Sequence, residues 1–275
     1  MGVTTSQQIT FYFDQYADVE VTFTKDVIRA TLLNQNPVFP TSLGYHWPCI
    51  LYGTSMKHAR IIANATPQLN ETLKRANNLV SLRLSFLQRD KSDPLSFFVP
   101  ARVSNVARYA DEKEHLSVMS LQYSQRPNDD LIAILGALLD ANVASKKRKE
   151  ERVTLTVDSI RRLGLVDKTT SIYIDGVPRK AILRDLSFSG AKLLIMGVAK
   201  FIVNKSCVVR LEFMDQNRPV DLPGKVLRNE PVEGREDISA FVVLFDEEQL
   251  PASYKLRLND YLKQMGRAGL VKRDE

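Results

Sequence analysis

Two short segments, KKRKEER at residues 146–152 and DLSFSG at residues 185–190, decide how this chain is organised. The first is a basic run of five cationic and two acidic side chains, and the second is a polar turn that ends in glycine. The sequence on each side of the basic run carries enough apolar residues for a core of its own. We therefore predict an N-terminal domain over residues 1–140, a basic linker over residues 141–152 and a C-terminal domain over residues 153–275.

The region before the basic run alternates apolar and polar residues in short stretches, which is the period of half-buried strands. The stretches are 19–24, 80–86, 97–106 and 116–123. Residues 34–45, rich in Asn, Pro, Ser and Gly, predict a loop. Together they predict a small antiparallel barrel or curled sheet with accessory helices. A linker helix is predicted over residues 128–144, because Asn128 and two aspartates can cap its first turn.

The region after the basic run is more strongly β. Strand candidates are 153–157, 171–177, 180–186, 191–196, 207–213, 222–227 and 238–245. A closing helix is predicted over residues 250–265, since Tyr254, Leu258 and Leu262 share one helical face. Short strands at this spacing predict a second small antiparallel barrel packed by one helix. The expected fold class is mainly β, with two small barrels.

Composition limits the possible functions. The chain has 275 residues, 44% of them hydrophobic and 25% charged, as in soluble globular proteins. It contains no secretory signal and no run of about 20 apolar residues, so we expect a cytoplasmic protein without membrane insertion. Cys49 and Cys207 are isolated and the three histidines are far apart, so no metal site is predicted. No catalytic side-chain set stands out, and neither an enzyme nor a cofactor is expected.

The net charge of +6 favours an anionic partner, and the basic run offers a way to bind one. Arg148 and Arg152 are four residues apart, so both would project from one side of a helical or tightly turned linker. A guanidinium presents a planar fork of donors that fits two phosphate oxygens or the O6 and N7 edge of guanine. The alternative is a helix end that serves as a solvated linker.

The DLSFSG segment complements the arginines. Asp185 can accept hydrogen bonds from the N1 and exocyclic amine of guanine, Ser187 can donate or accept, and Gly190 would leave room for a ring near the backbone. The same residue types also build an ordinary β-turn, and that alternative stays open. This is the only Asp-x-Ser-x-x-Gly in the chain, and it follows the only Arg-x-x-x-Arg.

At these residues the sequence resembles the PilZ family, the bacterial receptors for cyclic di-GMP. The family signature is Arg-x-x-x-Arg followed by [Asp/Asn]-x-Ser-x-x-Gly, and GKVLR at residues 224–228 resembles a later Gly-x-Val-x-Arg strand. The order of domains resembles that of two-domain effectors of the YcgR and PlzA type. The resemblance implies that Arg148 and Arg152 grip phosphate and guanine, while Asp185, Ser187 and Gly190 read the base. Further candidates for ligand contact are Lys147, Ser189, Ala191 and Arg228.

The resemblance implies a non-enzymatic receptor whose ligand is cyclic di-GMP. Binding would clamp the linker onto the C-terminal barrel and change the arrangement of the domains, which would signal to a downstream partner in motility or a related process. That partner is expected to be a protein, flagellar or transcriptional. The rival hypothesis is a basic regulator that binds nucleic acid through phosphate contacts of the linker.

Overall fold

The computed structural model describes residues 4–89, 91–109, 116–196 and 200–267. The chain forms two compact units that divide between Asp140 and Ala141. The division falls inside a helix that spans Asp129–Lys147. Each unit has a mainly β core of its own.

The first unit is built on an eight-stranded antiparallel sheet. Its helices are α1 (Ser6–Tyr16), α2 (Lys25–Thr31) and α3 (Pro67–Arg75). Its strands are β1 (Val21–Thr22), β2 (Phe39–Ser42), β3 (Tyr45–His46), β4 (Cys49–Thr54), β5 (His58–Asn64), β6 (Leu79–Phe86), β7 (Leu95–Arg108) and β8 (Leu116–Tyr123). They lie in the order β1-β4-β5-β8-β7-β6-β2-β3.

This sheet curls on itself. The amide of Cys49, at the start of β4, donates to the carbonyl of Val38, just before β2, at 3.3 Å. Strands from opposite halves of the sheet order therefore meet, which confirms the predicted barrel or curled sheet. The prediction of a loop over residues 34–45 is wrong in part, because β2 lies there, with Phe39 opposite Arg83 of β6. Pairing with β6 outweighs the local preference of a segment that contains Pro40.

The next helix, α4 (Asp129–Lys147), has the polar start that the sequence predicts. Asn128 Oδ1 accepts a hydrogen bond from an amide of the first turn at 3.3 Å, as an N-cap side chain does. Gly136 lies so close to Tyr12 of α1 that an added Cβ would stand 2.3 Å from the ring. The helix continues to Lys147, three residues beyond the predicted end, so the first half of the predicted linker is helical.

The second unit is a closed barrel with one attached strand. Its strands are β9 (Val153–Thr154), β10 (Thr169–Ile174), β11 (Val177–Leu186), β12 (Gly190–Met196), β13 (Ser206–Leu211), β14 (Val220–Val232) and β15 (Arg235–Phe245). Six of them follow the order β10-β13-β14-β15-β12-β11, and a β10–β11 pairing closes the ring. The strand β9 extends the sheet from β11. The predicted C-terminal barrel is confirmed.

Alternate side chains fill the barrel, with Leu183, Leu193 and Phe241 almost fully buried. The closing helix, α6 (Ala252–Arg267), packs Tyr254 and Leu258 into the same core and lies about two residues later than predicted.

One strand prediction in this unit is too long. Strand β9 ends at Thr154, and a helix, α5 (Val157–Leu163), begins where the strand was expected to continue. Thr156 and Ser159 form a reciprocal capping box that starts this helix. Local capping therefore outweighs the apolar alternation of residues 153–157.

Candidate functional site

The predicted turn joins β11 to β12, and Ser187 shapes it. Its amide donates to the carbonyl of Gly190 at 2.8 Å, and its Oγ accepts from the amide of Gly190 at 3.1 Å. Tyr254 of α6 donates its hydroxyl hydrogen to the carbonyl of Ser187 at 2.7 Å. Ser187 is fully buried, so its side chain serves the turn rather than facing solvent.

Gly190 has a packing role that differs from the one predicted. A Cβ at this position would stand 2.1 Å from the carbonyl oxygen of Val243 on the neighbouring strand β15. A carbon–oxygen contact this short could be relieved only by moving the backbone of one of the two strands. Glycine is therefore required because β12 and β15 approach each other here, and the expected space for a ring is filled by Val243.

Asp185 is the member of the turn motif that reaches the surface. It lies on β11 just after a bulge at Leu183, opposite Thr154 of β9. Its side chain is 19% exposed and accepts a hydrogen bond from Arg152 Nη1 at 2.5 Å. This ion pair joins the two sequence segments from which the candidate site was predicted.

The basic run leaves α4 through a turn. The amide of Arg148 donates to the carbonyl of Ala144 at 2.8 Å, and the amide of Glu151 donates to the carbonyl of Arg148 at 3.2 Å. Within this turn Arg148 Nε and Nη2 donate to the two carboxylate oxygens of Glu151, each at 2.7 Å. The two arginines therefore pair with different carboxylates, Arg148 with Glu151 and Arg152 with Asp185.

The turn after α4 also contacts the barrel directly. The amide of Ser189 donates to the carbonyl of Lys149 at 3.3 Å. The ammonium group of Lys149 lies 2.6 Å from a carboxylate oxygen of Glu247, two residues beyond β15. Backbone and side chain together place the basic run beside the DLSFSG turn.

Comparisons with known proteins match both units of the chain. A PilZN3 domain matches residues 7–142 and a PilZ domain matches residues 146–264. A "Cyclic di-GMP binding protein" of Treponema denticola is 40% identical over 261 residues, which cover 95% of this chain and 83% of that relative.

The chain belongs to the PilZ family.

Two solved structures align with most of the chain. The PlzA protein of Borreliella burgdorferi in complex with c-di-GMP is 22% identical, with a TM-score of 0.42 over 93% of this chain and 98% of that one. YcgR of Escherichia coli in complex with c-di-GMP is 11% identical, with a TM-score of 0.27 over 89% of this chain and 88% of that one.

The secondary candidates of the PilZ unit fall into different environments. Lys147 is exposed at the last position of α4. Ala191 is fully buried and faces the barrel core, so its side chain cannot reach a surface ligand. Ser189 is buried, and its Oγ lies 3.2 Å from that of Ser187.

Arg228 lies on β14 within a charged network on the outside of the PilZ barrel. Its Nε donates to Glu230 at 2.9 Å, and Lys192 of β12 donates to the same carboxylate at 2.6 Å. Hydrogen bonds from Lys192 and then Arg228 lower the pKa of the Glu230 carboxyl. Lys192 is the direct β-sheet neighbour of Asp185, so this network begins one strand away from the candidate site.

Sequence reasoning missed four residues that build the site. Lys149 and Glu151 lie in the basic run, where only the two arginines and Lys147 were named as candidate ligand contacts. Glu247 and Tyr254 lie about 100 residues later. Glu151 carries a usable signal, because an acid three residues after an arginine can pair with it in a turn or helix. The other contacts depend on the tertiary fold.

A separate groove of about 460 Å³ lies on the same barrel, lined in part by Tyr173, Cys207, Lys225 and Gln249. None of the predicted site residues lines it, so the candidate site rests on the arginines and Asp185. Among the residues that the structure describes, no group of three or more His, Cys, Asp or Glu could hold a metal ion. No described helix is both long and apolar enough to cross a membrane.

Proposed function

We propose that this protein is a non-enzymatic receptor for cyclic di-GMP. The observation that carries the proposal is the ion pair between Arg152 and Asp185, because it brings the two halves of the PilZ signature into contact. The name of the Treponema denticola relative supports the choice of ligand. The exposed guanidinium of Arg152 suits an anionic nucleotide, since the guanidinium fork matches both phosphate and guanine edges.

In this proposal the site residues have two kinds of role. Arg148 and Arg152 bind phosphate and guanine, and Asp185 accepts hydrogen bonds from the guanine base. Ser187 and Gly190 act indirectly, by holding the turn that presents Asp185. Lys147 and Arg228, both exposed, are secondary contacts through charge.

Ligand binding clamps the basic run, which already contacts the barrel through Lys149, more firmly onto the barrel and changes the arrangement of the two domains. A downstream protein, flagellar or transcriptional, reads that change. The ligand drives it only to the extent that it binds one arrangement more tightly than the other. The contact between Lys149 and the barrel turn supports this route, because it already links the run that follows α4 to the proposed site.

Calorimetric titration tests the proposal. Cyclic di-GMP, GTP and a generic oligonucleotide are titrated into the full chain and into Arg152→Ala. We expect cyclic di-GMP to bind the unmodified protein and to bind the variant about 1.5–3 kcal/mol more weakly, roughly ten- to a hundredfold. Arg161→Ala is the control, because Arg161 is an exposed arginine on α5. No binding of cyclic di-GMP, or equal binding by Arg152→Ala, would contradict the proposal.

A nucleic-acid-binding function is the second candidate, and one observation favours it. The whole positive excess lies in the second unit, since residues 1–140 carry 13 basic and 13 acidic side chains while residues 141–275 carry 25 and 19. A nucleic-acid-binding protein would bind the oligonucleotide in the same titration. Its affinity would fall steeply as the salt concentration rises and would show no preference for guanine.

A further inference from the structure

The guanidinium of Arg148 is held by a carboxylate from its own turn. Its Nε and Nη2 donate to Oε1 and Oε2 of Glu151 at 2.7 Å each. These two donors form the planar edge with which an arginine binds a carboxylate or a phosphate through parallel hydrogen bonds. Glu151 therefore occupies one of the edges of Arg148 that a phosphate would use.

The backbone of the turn fixes this pairing. The amide of Glu151 bonds to the carbonyl of Arg148, which closes the turn and places the two side chains on the same side. The bond from Ser189 to the carbonyl of Lys149 anchors the middle of the turn to the barrel. Little further ordering is needed for the ion pair to form, because both of its residues belong to one anchored turn.

The two arginines differ in what their partners would do when a ligand arrives. Asp185, the partner of Arg152, is itself a proposed ligand contact and would stay in the site. Glu151 occupies one of the unspecified positions of the Arg-x-x-x-Arg motif, and among the described residues its side chain forms hydrogen bonds and an ion pair with Arg148 alone. It also directly precedes Arg152 in the chain.

We infer that Glu151 is a positioning residue that lowers the affinity of the site, because an anionic ligand gains the Nε and Nη2 edge of Arg148 only by displacing the Glu151 carboxylate. The inference rests on the proposed function, since the ligand it concerns is cyclic di-GMP. The competition is between two bidentate partners for one guanidinium edge. Glu151 thereby raises the concentration of nucleotide at which the site fills.

The size of the effect follows from the exposure of the pair. The side chains of Arg148 and Glu151 are 27% and 38% exposed. Ion pairs that reach solvent are weak and are screened by salt, so displacing one costs a factor of up to about five in affinity. We expect Glu151→Gln to bind cyclic di-GMP roughly two- to fivefold more tightly than the unmodified protein at low salt, with a smaller gain as salt is raised.

A matched pair of variants isolates the effect. Glu150, the preceding residue, is exposed and forms no ion pair with a described residue. Glu150→Gln removes the same charge without releasing Arg148, so it controls for the change in net charge. Arg148→Lys keeps the positive charge but lacks the fork, and in that background the gain from Glu151→Gln should shrink.

The test is calorimetric titration of cyclic di-GMP into the full-length protein and these variants. Tighter binding by Glu151→Gln than by Glu150→Gln supports the inference. Unchanged or weaker binding by Glu151→Gln overturns it, and so does an equal gain in Glu150→Gln. If the unmodified protein does not bind cyclic di-GMP at all, both the proposed function and this inference are overturned. If it binds but Glu151→Gln has the same affinity, only the inference is overturned.

Discussion

Arg152 and Asp185, 33 residues apart in the chain, form an ion pair in which Nη1 lies 2.5 Å from Oδ1. Two features of the fold produce this pair. The strand β9, which begins directly after Arg152, pairs with the end of β11 and places Thr154 opposite Asp185. The turn after α4 is bonded to Ser189. These two contacts, the pairing of β9 with β11 and the hydrogen bond from Ser189 to Lys149, hold the basic run on the barrel.

Asp185→Asn tests the proposed reading of guanine. The amide keeps the shape of the carboxylate but loses its charge and one acceptor, so we expect cyclic di-GMP to bind at least about tenfold more weakly. The loss should be smaller for cyclic di-AMP, measured in the same titration, because adenine has no hydrogen on N1 and no amine at C2, the two guanine donors that Asp185 would accept from. Asp175→Asn is the control, since Asp175 is a similarly paired aspartate in the β10–β11 turn. Equal binding by both variants would contradict the assigned role.

Gly190→Ala tests the packing role of the glycine. The added methyl group would stand 2.1 Å from the Val243 carbonyl, so the strands must separate, and we expect a loss of about 1–3 kcal/mol in stability. Chemical denaturation of the second unit measures it. Gly266→Ala, in α6 with open space around it, should be neutral or slightly stabilising. If Gly190→Ala were as stable as the unmodified protein, the packing role assigned to Gly190 would be contradicted.

Tyr254→Phe tests the link between α6 and the turn. The variant leaves the buried carbonyl of Ser187 without its donor, which should cost about 1–3 kcal/mol. The thermal midpoint of the second unit reports this loss. Tyr45→Phe, at an exposed position of the first unit, should have no effect.

The same tyrosine predicts a pH dependence. Burial raises the pKa of the Tyr254 phenol above its ordinary value, so the folded protein holds the proton more tightly than the unfolded chain does. Its contribution to stability is complete below about pH 10 and is lost as the pH rises further, because the unfolded chain then ionises first. Tyr254→Phe should lose less stability than the unmodified protein between about pH 9 and 11. The free energy of unfolding of both proteins is measured by urea denaturation at each pH. An equal fall with pH in the two proteins across that range would contradict the prediction.

The two cysteines should be unreactive in the folded protein. Burial raises the pKa of Cys49 and of Cys207 to about 12 in each case. The thiolate is the reactive form, so a thiol reagent at about pH 8 should label neither residue rapidly, and both should react once the chain is unfolded in denaturant. Rapid labelling of the native protein would show that one thiol is accessible.

Much of the fold was predictable because it depends on local patterns. The alternation of apolar residues marked most strands of the barrel, and the polar start at Asn128 marked α4. Prediction failed where two local signals conflicted, as at residues 153–157, where the capping box of Thr156 and Ser159 ends the strand early. It also failed at β2, whose strand conformation depends on pairing with a segment about 40 residues away.

The sequence by itself determined the class of the fold and the side chains proposed for the site. Charge, spacing and residue type singled out Arg148, Arg152 and Asp185, because a planar fork and an acceptor are properties of side chains and need no coordinates. The tertiary structure decided the surroundings and partners of these side chains. It buried Ser187 and Ala191, filled the space beside Gly190 with the Val243 carbonyl, and paired Arg148 with Glu151. Burial, packing and ion pairing depend on which backbone segments are neighbours in space. Strand pairing between residues far apart in the sequence determines those neighbours.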